Sequence, residues 1–230
     1  TYLKAVFETR RAERIAQARE HLGGTAERIS FVDHHLAHAA AAYFGAPFAF
    51  GAPVLVLTCD GAGDGLSATV SVGKGTEIKR LAATKRAASL GKIYSRITYM
   101  LGLTPWEHEY KVMGLAPYAD PKRAAALRGV FEQLVMLSDD GLTFCVADKI
   151  ESSYSYFFLR EKLERVRFDE ASGGVQLYVE ELLCQWVKKA VSATGIRRVV
   201  CGGGVFMNVK ATLRISQLDE VDEMFVCPSC

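Results

Sequence analysis

The chain has 230 residues, half of them hydrophobic, with 28 basic and 26 acidic side chains. That is enough apolar material for a real core, in one large domain or two small lobes. The net charge is only +2, the signs are interspersed and no basic stripe stands out, which argues against nucleic acid as the partner. No apolar run reaches the roughly 18 residues of a membrane span, so no membrane role is expected.

The N-terminal stretch predicts an amphipathic surface helix. Ala5, Ile15 and Ala18 alternate with Arg10, Arg11, Arg14 and Arg19, and Gly23-Gly24 should end it. Glu8, Glu13 and Glu20 argue against a transit peptide. Ile29–Asp33 reads as a short strand running into a helix over His34–Phe44, where alanine-rich sequence favours helix and Gly45-Ala46-Pro47 stops it. Val54–Cys59 reads as a fully buried strand. Ser67–Gly73 and Ile78–Thr84 follow as strands around a Gly73-Lys74-Gly75 turn, which makes a meander and not a βαβ unit.

Further along, Ser89–Leu101 has helical spacing, with Leu90, Ile93, Ile97, Met100 and Leu101 on one face and Gly102 as its stop. Trp106–Tyr118 predicts a short helix closed by Pro117, and Lys122–Met136 a single helix. Leu142–Val146 predicts a strand, and Phe157–Val166 and Val175–Ala193 predict helices. Arg198–Cys201 is a strand feeding Gly202-Gly203-Gly204, Phe206–Ile215 the helix after it, and Glu223–Cys227 a last strand. The six scattered cysteines sit mostly in apolar stretches and read as small buried hydrophobes of a reducing, cytoplasmic protein. Cys227-Pro-Ser-Cys230 is a lone CxxC, without the second pair a zinc knuckle needs.

Four segments carry chemistry. His34 and His38 stand four residues apart, which puts both imidazoles on one helix face within reach of one divalent cation. His35 points elsewhere. Imidazole suits iron, zinc and nickel alike, and a carboxylate should complete the site; the bland alternative is three histidines lining or capping a helix. Asp60-Gly61-Ala62-Gly63-Asp64-Gly65 follows a buried strand. Gly61, Gly63 and Gly65 would let backbone N–H groups approach phosphate oxygens, while Asp60 and Asp64 would hold a metal, a hydroxyl or a water. The alternative there is a tight hairpin with Asp-Gly turn chemistry. Gly202, Gly203 and Gly204, with Asn208, lie between a strand and a helix, where an anion meets a helix N-terminus. They do not form GxGxxG, so a Rossmann site is a weak reading. In Glu107-His108-Glu109-Tyr110-Lys111, Lys111 would pair with phosphate and Glu109 with ribose hydroxyls; the alternative is a solvated turn. No nucleophile elbow, Walker loop or kinase signature appears.

In order and spacing, DHHLAHAAAAYF, VLTCDGAGDG, SLGKIYSRITYMLGL, EHEYKVMGLAPYAD and CGGGVFMNVKA resemble the O-carbamoyltransferases of nodulation-factor and antibiotic biosynthesis, over roughly Ile29 to the end of the chain. The resemblance implies an α/β, actin-like ATPase (ribonuclease H-like) fold with mixed sheets flanked by helices. That fold is related to the tRNA threonylcarbamoyl-transfer proteins and has two lobes with a nucleotide in the cleft. It implies that carbamoyl phosphate and ATP become carbamoyl adenylate in a separate C-terminal YrdC-like domain. The actin-like domain then passes the carbamoyl group to a hydroxyl of a small-molecule acceptor.

By the same resemblance His34 and His38 hold iron, with an aspartate from beyond Cys230. The Asp60–Gly65 loop and Gly202–Gly204 with Asn208 border the adenylate, while Glu109 and Lys111 carry over more weakly. Asp60 or Asp64 is expected to take the hydroxyl proton. The family's opening phosphate loop, its GDxG-type segment after CPSC and its YrdC-like domain are not in this sequence. The chain is therefore expected to be a fragment of the N-terminal domain, incomplete at both ends of its own nucleotide cleft, weak in metal binding and unable to turn over alone. Rival readings are a sugar or acetate kinase of the same fold and a non-catalytic nucleotide-binding module. The hydrogenase-maturation carbamoyltransferase is a further neighbour, but it has zinc-finger and acylphosphatase-like regions not visible here. The acceptor and the oligomeric state stay open.

Overall fold

A computed structural model describes residues 2–22, 29–48 and 51–228. The chain divides into two compact units, Thr1–Val32 and Asp33–Cys230. In the first, helix α1 spans Tyr2–His21. From Glu8 to His21 its side chains are exposed except Ile15 and Ala18, which are partly buried, as the arginine-and-alanine alternation predicts. Gly23-Gly24 lie outside the described residues. The strand expected over Ile29–Asp33 is not formed. Asp33 is instead an N-cap: its carboxylate accepts from the Leu36 N–H at 2.8 Å, so the chain turns straight into helix α2, His34–Gly45.

The second unit is built on a five-stranded mixed sheet of order β3-β2-β1-β6-β7. Strands β1 (Val54–Gly63), β2 (Leu66–Lys74) and β3 (Glu77–Lys85) form the expected antiparallel meander. Strands β6 (Arg198–Gly202) and β7 (Glu223–Val226) add to it in parallel, β6 directly beside β1. β1 is apolar at every early position because both of its faces are covered. Val54 and Val56 point into a cluster with Ala39, Ala42 and Tyr43 of α2; Leu55, Leu57 and Cys59 point the other way, into the main core.

The main core holds α3 (Leu90–Met100) and the long α8 (Phe168–Thr194), which contributes Val175, Val179, Leu183 and Trp186. The sequence predicts this helix only from Val175, just after Gly173-Gly174. The structure begins it at Phe168, since those glycines are contact points. A Cβ at Gly173 would lie 2.6 Å from the Ala119 Cβ, and one at Gly174 2.9 Å from the Leu127 Cβ.

The predicted helix Lys122–Met136 is instead α5 (Pro121–Ala126), α6 (Arg128–Glu132) and strand β4 (Val135–Leu137), which pairs with β5 (Phe144–Val146). The chain breaks at Leu127 and again after Glu132. Phe131, Leu134 and Val135 reach the core, and the extended chain from Val135 pairs with β5, which a continuous helix would not allow. The Tyr178 hydroxyl donates to the Val135 carbonyl at 2.7 Å and fixes that turn. Helix α4 spans Glu109–Leu115 and α7 spans Tyr156–Leu163. The last helix, α9, runs Val209–Ser216 and not from Phe206: a 3-10 turn over Gly204–Met207 comes first, and Asn208 caps α9 by accepting from the Ala211 N–H.

Candidate metal centre and its cavity

The site grows from three local choices. The α2 spacing presents His34 and His38 on one face, with Nε2 atoms 3.2 Å apart. β1 bulges after Cys59, so Asp60 leaves the ladder and turns its carboxylate toward that face. Asp60 Oδ2 then stands 2.7 Å from His34 Nε2 and 3.3 Å from His38 Nε2. Among the described residues these three are the group whose side chains could hold one metal ion. Separations near 3 Å are those of neighbouring donor atoms on a cation with bonds of about 2.0–2.2 Å, and two imidazoles with one carboxylate suit zinc or iron. Burial alone would raise the Asp60 carboxyl. Hydrogen bonds to His38, His34 and the Gly61 N–H outweigh it and hold the group well below the usual carboxylate range. Cys59 points into the core, where burial pushes its thiol up, so it offers no thiolate.

His35 is fully buried on the other side of α2. Its Nδ1 meets Thr58 Oγ1 at 2.8 Å, and Thr58 meets Thr69 Oγ1 at 2.6 Å. This chain of polar contacts ties α2 to β1 and β2. Asp64 accepts from the His34 backbone N–H at 2.8 Å and so secures the first turn of the same helix.

The Asp60–Gly65 segment is a hairpin turn in this fold. Gly63 pairs with Leu66, and Asp64 (φ 50°) and Gly65 (φ 83°) form the two-residue loop, both with the positive φ that such a turn requires. A Cβ at Gly63 would overlap the His34 ring, so this glycine makes room for the histidine. Nothing lies within 4 Å of a Cβ at Gly65, whose demand is conformational only.

A cavity of about 660 Å³ opens beside Asp60. Asp60, Gly61 and Ala62 form one wall, the segment from Gly204 to Asn208 another, and Trp106 and Glu109 the rim. The parallel pairing of β1 with β6 brings these two distant walls together. Gly61 and Gly204 therefore face the cavity, and Gly63, Gly65, Gly202 and Gly203 do not line it. A Cβ at Gly202 would lie 2.7 Å from the His38 carbonyl, and one at Gly203 (φ 97°) would strike the Cys59 carbonyl. These two glycines let β6 pack against α2 and β1.

Glu109 lines the cavity, but its Oε1 also accepts from Ser95 Oγ and from the Trp106 N–H, both at 2.8 Å. Lys111 does not line it; its ammonium lies 5.8 Å from the centre of the Tyr110 ring. Asn208 faces the cavity, yet its side chain is committed. It exchanges two 2.9 Å hydrogen bonds with Gln176 of α8 and caps α9. Gln176 in turn accepts from the Tyr94 hydroxyl at 2.8 Å. Sequence reasoning passed over Gln176, Tyr94 and Lys92. Only the last, a lone cation inside the SLGKIYS segment, left a signal there. Cys227 is buried; Cys230 lies outside the described residues.

The family model described as carbamoyltransferase N-terminus matches residues 1–230. The nodulation protein NolNO of Sinorhizobium fredii is 35% identical over 205 residues, covering 88% of this chain and 29% of that protein. The nodulation protein NolO of Bradyrhizobium diazoefficiens is 32% identical over 205 residues, 86% of this chain and 35% of that protein. An uncharacterized protein of Methanocaldococcus jannaschii is 25% identical over 215 residues, 87% and 35% respectively. The chain spans about a third of the length of these relatives. With a match along its whole length, the chain belongs to the carbamoyltransferase N-terminal family.

Proposed function

We propose that this chain is the transfer region of an enzyme that moves a carbamoyl group from carbamoyl adenylate to a hydroxyl of a small molecule. The observation that carries this reading is that Asp60 both meets His34 and His38 and lines a cavity walled by the two glycine-rich segments; the two imidazoles do not line it. Family membership supports the group transferred. The adenylate donor, made from carbamoyl phosphate and ATP, follows from the resemblance of the five motifs. So do the actin-like architecture and an N-terminal domain that works with a separate adenylating domain; the cytoplasmic setting follows from the scattered cysteines.

In the reaction, the acceptor oxygen bonds to the carbamoyl carbon. The bond from that carbon to the phosphate oxygen breaks, AMP leaves with its electron pair, and the hydroxyl proton passes to the departing phosphate or to water. His34, His38 and Asp60 would hold a divalent metal, iron by the resemblance, and such an ion supplies Lewis acidity to an oxygen of the reactants. The chain's own residues do the rest. The backbone of Gly61 and Gly204 permits close approach of the donor, the walls fix its orientation, and Glu109 keeps the rim loop in place. Asp60 fits the ligand role better than the proton-accepting one, because its Oδ2 already faces both imidazoles. Asp64 accepts from the His34 N–H at the helix start and does not line the cavity, so it is less well placed than Asp60.

The test is an assay of the full-length protein for carbamoyl-phosphate-dependent release of pyrophosphate from ATP. It is run with and without chelator, followed by transfer to a panel of hydroxylated acceptors. Chelator-sensitive transfer is expected. Acceptor phosphorylation by ATP without carbamoyl phosphate would instead make the protein a kinase.

A further inference from the structure

We propose that Lys92 is the anion anchor of the cavity, its ammonium holding the phosphoryl group of the bound adenylate beside the Asp60–Ala62 wall. This deepens the reading above and rests on it. Among the described residues four charged side chains line the cavity: Asp60, Glu107 and Glu109 are acids, and Lys92 is the single cation. A phosphate entering there meets three carboxylates, and the charge that favours it comes from Lys92 and from whatever cation the His34, His38 and Asp60 donors hold.

The geometry keeps Lys92 available. Among the described residues it has no carboxylate within ion-pair distance. Its ammonium lies 5.1 Å from the centre of the Trp106 ring, a contact that orients a cation without neutralising it. Trp106 is itself held in place: its backbone has φ 70°, and its N–H donates to Glu109 Oε1 at 2.8 Å. Strain of this kind persists where the surroundings enforce it.

Lys92 also sits close to the β1 bulge. It belongs to the first turn of the 11-residue helix α3, which meets the bulge at Gly91. A Cβ on Gly91 would lie 2.9 Å from the Gly61 Cα, and one on Gly61 would lie 3.9 Å from the Lys92 Cε. Ser89 draws the contact tight by donating to the Gly61 carbonyl at 2.6 Å and accepting from the Lys92 N–H at 3.1 Å. The ammonium and Asp60 therefore reach the same end of the cavity.

The experiment is calorimetric titration of the full-length, metal-loaded protein with AMP and with adenosine, in the wild type, Lys92→Met and Lys92→Arg. Methionine keeps an unbranched apolar chain against Trp106 and removes the charge. The wild type is expected to prefer AMP over adenosine. Lys92→Met should reduce that preference by about tenfold or more, and Lys92→Arg should retain most of it, as loss of one charge-assisted hydrogen bond implies. In the wild type, rising salt should weaken AMP binding and leave adenosine binding nearly unchanged. An AMP preference that survives in Lys92→Met, or a wild type that binds the two equally, overturns the anchor and leaves the nucleotide cavity standing. Binding of neither compound overturns the adenylate reading itself, and the anchor with it.

Discussion

The two glycine-rich segments that wall the cavity look alike in sequence and behave differently in space. In the Asp60–Gly65 turn, Gly63 yields its volume to a side chain, the His34 ring, and Gly65 supplies a backbone angle. In the Gly202–Gly204 run, the glycines yield to backbone: Gly202 to the His38 carbonyl and Gly203 to the Cys59 carbonyl. Gly63, Gly202 and Gly203 serve the convergence of α2, β1 and β6, and one glycine in each segment, Gly61 and Gly204, faces the cavity. The catalytic look of such loops thus comes from the packing that assembles the site as much as from contact with a ligand.

Alanine substitutions sharpen this contrast. The largest loss is expected for Gly203→Ala, where a positive φ and a backbone collision coincide at the β6–β1 junction. We expect about 4 kcal/mol of stability to be lost, read by denaturant unfolding. Gly63→Ala should spare the fold more and damage the metal centre, because His34 must swing aside. Divalent-metal titration should show affinity reduced by about a hundredfold, equivalent to about 2.7 kcal/mol. Asn208→Ala removes the α9 cap and two hydrogen bonds to Gln176, whose amide keeps Tyr94 and Glu180. Together these should cost about 2 kcal/mol in thermal unfolding. Gly61→Ala is the control, since its Cβ would make only an ordinary contact with Lys92. Stability should change by less than about 0.5 kcal/mol, while AMP affinity falls as the cavity narrows. Equal stability losses at Gly61 and Gly203 would erase the distinction between cavity-facing and packing glycines.

Much of the frame was legible before the fold was known. The apolar run Val54–Cys59 marked a strand covered on both faces, and the spacing of His34 and His38 put both rings on one helix face. The Leu90, Ile93 and Ile97 stripe marked α3, because a helix buries one face and a central strand buries both. Two failures share a cause. The break at Leu127 and the helical Gly173-Gly174 go with the close contact of α8 on Ala119, Ala124 and Leu127, and local preference carries no record of that contact. The late start of α9 at Val209 follows instead from the Asn208 cap.

The same division holds for the site. Sequence by itself determined which side chains could bind metal or anion, since residue type and helical spacing are local properties. Tertiary structure decided which of them meet. The bulge in β1 aims Asp60 at both imidazoles, the parallel β1–β6 pairing sets Gly204 opposite Gly61, and the α3 contact at Gly91 carries Lys92 to the same wall. Each of these depends on register and close approach between segments tens to more than a hundred residues apart, and only the packed chain fixes those distances.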